Sequence, residues 1–142
     1  MQKQSNPLIT LVVLALSGWL IFGDEGGCGL VANPPPFKAA KLCVLVIEET
    51  TDRNNYTAGQ REVITSTAGV REYVKGKAGE FWVIDKDTPL DKAAPWVQEA
   101  RTAAQPNLLP WIVAATPKAG FTRQLPSEAA ETLAAVKKLG GE

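Results

Sequence analysis

Three hydrophobic patterns follow one another along the chain, and each predicts a different kind of element. The first is Leu8–Phe22 (LITLVVLALSGWLIF), which carries no charge and is interrupted only by Thr10, Ser17 and Gly18. The second is short and continuous: Leu42-Cys43-Val44-Leu45-Val46-Ile47 and Phe81-Trp82-Val83-Ile84 read as strands buried on both faces. The third has helical spacing. Val63, Ile64, Thr67, Val70 and Val74 recur on one face behind a Thr57/Gln60 capping box, with Gly69 and Ser66-Thr67 marking a break. Pro95 opens a second helix with a narrow stripe of Val97, Ala100 and Ala104. Leu109–Ala115 reads as a third strand and Phe121–Leu125 as a fourth, joined as a hairpin through Pro117–Gly120. Ser127 is placed to cap a last helix with Ala130, Leu133 and Val136 facing inward, and Gly140-Gly141 ends it.

The long apolar run has Lys3 before it and Asp24-Glu25 after it, which predicts a signal anchor over residues 8–23. Residues 1–7 then stay in the cytoplasm, and the remainder lies outside it, periplasmic or extracellular. Signal-peptidase cleavage near Gly26, Gly27 or Gly29 is an alternative, although no A-x-A-like site follows. Lipidation at Cys28 is another; Glu25-Gly26-Gly27-Cys28 is similar to a lipobox, with Glu25 where a Leu-like residue belongs. Residues 24–38 are Gly- and Pro-rich, ending in Pro34-Pro35-Pro36, and read as a linker to a domain over 39–142.

Composition then removes whole classes of chemistry. There are 142 residues, enough for one domain, with 15 basic and 15 acidic side chains, so no basic surface calls for a nucleic-acid partner. The chain has no histidine, which excludes Ser-His-Asp and Cys-His catalysis and His-ligated zinc. Two cysteines cannot supply a four-cysteine metal site. No metal or cofactor is expected.

The order β-α-β-α-β-β-α, with Leu109-Pro110-Trp111-Ile112-Val113 placing a proline just before the third strand, resembles the thioredoxin-like fold, a three-layer α/β domain. The resemblance covers about residues 40–140. A redox-active member carries Cys-x-x-Cys after the first strand, where this chain has Glu48-Glu49-Thr50-Thr51-Asp52-Arg53-Asn54-Asn55-Tyr56. Dithiol exchange at that position is therefore excluded. The chain is more similar to small membrane-anchored thioredoxin-like proteins of bacteria and phages that lack the motif. The resemblance implies a groove between this loop and Leu109-Pro110-Trp111. There Thr50, Thr51, Asp52 and Arg53 offer hydrogen bonds, the backbone beside Pro110 offers an edge to an extended peptide, and Trp111 offers a stacking face.

Other candidate chemistry is thin. Cys43 reads as a small hydrophobe in a strand, and Cys28 as a linker residue able to pair with it or with another chain in an oxidising compartment. Glu48-Glu49-Asp52 and Asp85-x-Asp87 are acidic enough for a cation or acid/base work, but solvated loops are the plainer expectation. Trp82, Trp96 and Trp111 are expected in the core, and Trp19 in the membrane segment. Asn55-Tyr56-Thr57 matches a glycosylation sequon, and Gly76-Lys77-Ala78-Gly79 lacks phosphate-loop spacing. The expected function is a membrane-tethered, non-catalytic interaction module for a protein or peptide in the envelope. The alternatives are a thiol-disulfide enzyme using Cys28 and Cys43, a hydrolase using the acidic loop, and a phage accessory or lysis-related membrane protein.

Overall fold

The computed structural model describes residues 33–142. They form one mixed α/β unit around a four-stranded sheet of β1 (Cys43–Glu48), β2 (Glu80–Asp85), β3 (Trp111–Ala115) and β4 (Gly120–Gln124), in the order β2-β1-β3-β4. β1 pairs parallel with β2 and antiparallel with β3, and β3 closes a hairpin with β4. The helices are α1 (Ala58–Thr65), α2 (Val70–Gly76), α3 (Pro95–Ala104) and α4 (Ala129–Leu139). Among the described residues no helix is long and apolar enough to cross a membrane. The anchor expected over residues 8–23, Trp19 and Cys28 lie outside the described residues.

β1 is buried along its whole length because it is central and covered on both faces. Alternate side chains therefore serve two cores. Val44 and Val46 join Val63, Val74, Ile112 and Val136 under α1, α2 and α4. Leu45 and Ile47 join Val97, Ala100 and Val113 under α3. This arrangement explains why the sequence of β1 shows no polar alternation.

Several local expectations are sharpened or corrected. The break expected at Ser66-Thr67 and Gly69 is complete and gives two helices: Ser66 ends α1, and Gly69, at φ 63°, turns the chain into α2. Only glycine takes that conformation without strain. The Thr57/Gln60 capping box is present, with Gln60 N donating to Thr57 Oγ1 at 3.1 Å. Ser127 does not cap α4; Glu128 holds that position without a side-chain cap, and the Ser127 carbonyl accepts from Thr57 Oγ1 at 2.6 Å. The peptide bond between Leu109 and Pro110 is cis.

The linker reading of residues up to 38 also changes. Gly120 N donates to Asn33 O at 3.0 Å, Phe37 is only 6% exposed, and its ring stacks on Trp96 at 5.8 Å. Residues 33–39 are a strap laid over β4 and α3. The proline run hides this role, because composition reports stiffness and not what the next aromatic touches. Trp82, expected in the core, is 42% exposed: it sits on the edge strand β2, beyond the cover of α3.

Candidate functional site

The register brings one end of the sheet into focus. Ile47 lies opposite Trp111, so Glu48 at the end of β1 emerges beside Pro110, and it also registers with Asp85 at the end of β2. The chain then tightens into a 3-10 helix, Thr50–Asn55, that sits over this rim. Tyr56 holds the base of that helix. Its hydroxyl accepts from Glu49 N at 2.8 Å and donates to Glu49 O at 3.1 Å, and burial raises its pKa.

The acidic residues expected in a solvated loop are mostly engaged. β1 runs one residue further than the apolar pattern, so Glu48 is 2% exposed and faces inward. It is met by Arg53, whose Nε donates to Glu48 Oε2 at 2.9 Å and whose second guanidinium nitrogen pairs with Glu48 Oε1. A buried carboxylate requires such a partner, since an isolated charge there is strongly disfavoured. Glu49 pairs with Lys86 at 2.6 Å and accepts from Thr51 Oγ1 at 2.9 Å, and both hold its pKa below the usual carboxylate range. Asp85 accepts from Asp87 N at 2.9 Å and Thr50 N at 2.8 Å, which brings its pKa down to about 2.

Thr50, Thr51 and Asp52 are exposed on the outer face of the 3-10 helix, while Arg53 is half-buried and engaged with Glu48. Pro110 is fully buried, and its carbonyl accepts from Leu125 N at 2.9 Å. Trp111 shares a face with Ile47, packs on the α3 side, and donates its indole N–H to Thr122 Oγ1 at 2.7 Å. The outward groups of the rim are therefore Thr50, Thr51, Asp52, Asn54 and Asn55, with Leu108 57% exposed in the segment leading to Pro110. Leu108 went unnoticed in the sequence because it stands alone between polar residues.

Cys43 sits at the opposite end of β1, the full length of the strand away from the rim. Burial, with Glu80 adding to it, pushes its thiol up to about 11. At neutral pH it is protonated, and a thiol rather than a thiolate is a poor nucleophile. Its neighbourhood is a structural cluster in which Glu80 pairs with Lys41 at 2.7 Å and accepts from Trp96 Nε1 at 2.7 Å. Among the described residues no three His, Cys, Asp or Glu side chains converge as metal ligands. A shallow cleft of about 440 Å³ lies elsewhere, between α1, the Ala68-Gly69 break and α4, with Glu62 and Glu128 beside Val63 and Leu133.

No family model, curated protein or solved structure matches the chain.

Proposed function

We propose that the protein is a membrane-tethered, non-catalytic thioredoxin-like domain that binds a protein or peptide outside the cytoplasm. The sheet order β2-β1-β3-β4, one parallel and two antiparallel pairings, and a proline leading into β3 beside the end of β1 support the thioredoxin-like reading. The observation that carries the non-catalytic reading is the Glu48–Arg53 pair. Where a redox member exposes a thiolate, this chain commits its charged groups to each other and to the backbone, leaving neutral and acidic hydrogen-bonding groups outward. The apolar run Leu8–Phe22, with Lys3 before it and Asp24-Glu25 after it, supports the tether.

Two measurements test this reading together. Full-length protein should leave insulin disulfides intact in the presence of dithiothreitol beyond the uncatalysed rate, and a Cys43→Ala variant should behave identically. A photo-crosslinking residue at Thr51 or Asp52, in cells, should yield discrete adducts that the same residue at Lys75, on the far end of the molecule, does not. Insulin reduction that depends on Cys43 would overturn the reading, as would adducts indistinguishable between the two ends.

A further inference from the structure

The tether leaves the domain at a defined place. Asn33 is hydrogen-bonded to Gly120, which registers with Ala115, which in turn registers with Cys43 at the start of β1. The strap therefore exits at the end of the sheet opposite the rim, and β1 separates the two by roughly 17–20 Å. Between the expected anchor at 8–23 and Asn33 lie residues 24–32, which fully extended reach roughly 30 Å. The exit pole is kept near the bilayer by chain length alone.

That pole is also where lysines collect. Lys41 precedes β1, Lys75 and Lys77 end α2, Lys118 lies in the β3–β4 turn, and Lys138 is in the last turn of α4. These elements converge: Glu80 N donates to Leu42 O, Gly79 N donates to Val74 O, and Lys77 pairs with Glu142 beyond α4 at 2.7 Å. All five lysines are exposed. Glu80 and Glu142 answer Lys41 and Lys77 there, whereas among the described residues Lys75, Lys118 and Lys138 form no ion pair. The rim pole is close to balance, with Glu48, Glu49, Asp52, Asp85 and Asp87 against Arg53, Lys86, and the guanidinium groups of Arg61 and Arg101, which donate to the Tyr56 and Lys86 carbonyls. The excess positive charge of this domain is thus gathered at the exit pole and not at the rim.

We propose that the lysine pole docks on anionic phospholipid headgroups, so that Thr50–Arg53 face away from the bilayer. Clustered lysines held within about a Debye length, roughly 10 Å at 0.1 M salt, of an anionic surface are drawn to it, while the nearly balanced rim gains no such attraction. The tether supplies proximity and the charge pattern supplies orientation. The partner of the rim then approaches from the aqueous side and not from within the same membrane. The proposal rests on the tethered reading above.

The test uses the full chain reconstituted into vesicles of phosphatidylcholine alone or mixed with phosphatidylglycerol. A Cys28→Ser background carries a fluorophore on Pro117→Cys at the lysine pole or on Thr51→Cys at the rim, with an acceptor on the lipid headgroups. Energy transfer from position 117 should rise several-fold when phosphatidylglycerol is present. It should fall back in high salt or in a Lys75→Glu/Lys118→Glu/Lys138→Glu variant, and transfer from position 51 should stay low throughout. Position 117 insensitive to lipid charge, or to the triple reversal, overturns the docking. Flotation with vesicles separates the two ideas: flotation with both compositions without the orientation effect leaves the tether and removes the docking. Flotation only with phosphatidylglycerol removes the tether and leaves the docking, and flotation with neither removes both.

Discussion

Removing the Arg53 guanidinium leaves the Glu48 carboxylate buried with its counter-charge gone, a loss that costs more than an exposed ion pair contributes. Because the Arg53 side chain still reaches solvent, Arg53→Ala is expected to destabilise the domain by about 2–3 kcal/mol, below the roughly 3–5 of a fully buried pair. Glu48→Gln, which removes the charge along with its need for a partner, should cost less; urea denaturation of both variants checks the order. Asp85 gives a pH dependence. Its carboxyl titrates at about 2 in the folded chain, against an ordinary value near 3.9. Its contribution is therefore present above about pH 4 and is lost as pH falls toward 2. Asp85→Asn should flatten the stability profile across that interval by lowering stability at neutral pH while leaving the value near pH 2 almost unchanged, as thermal unfolding followed against pH would show. Little of this was legible beforehand. Glu48 and Arg53 are near in sequence, but their pairing depends on β1 continuing one residue past its apolar run. Glu49 and Lys86 meet only because β1 and β2 are parallel in one register.

At the level of elements, the two halves of the fold meet where α1 begins against the start of α4. A methyl group on Gly59 would stand 2.6 Å from Ala129 N and 2.8 Å from Glu128 Cα, backbone atoms that cannot rotate away. Gly59→Ala should therefore cost about 2 kcal/mol or more, as overpacking at a rigid contact does. Gly76→Ala makes the matching control: nothing lies within 4 Å of its added methyl, and the helix gains roughly 0.5–1 kcal/mol of backbone preference. Chemical denaturation should move the two midpoints in opposite directions. Element type and order were readable from hydrophobic pattern together with length and flanks: the run of β1 is short and rich in β-branched residues, and α3 carries a helical stripe behind Pro95. The α1–α2 break was readable from Gly69. The cap of α4 was not, since the Ser127 carbonyl is turned toward Thr57, a partner 70 residues away. The strap escaped notice because Phe37 is a lone aromatic after three prolines, and a period needs more than one residue.

For the molecule as a whole, the strap means that the folding unit begins before the first strand. A domain starting at Asn33 should melt several degrees above one starting at Lys41, since the shorter form uncovers Trp96 and the buried Phe37 site; calorimetry on the two lengths decides it. Near-equal melting temperatures would return residues 33–39 to the role of spacer. The strap also decides how the domain bears mechanical load. A pull on the chain ahead of Asn33 arrives first at the Asn33–Gly120 hydrogen bond and the Phe37–Trp96 stack, and so enters the molecule through β4 and α3, not through the central strand. Tension can peel the strap from the sheet edge while β1 and the rim beyond it keep their shape.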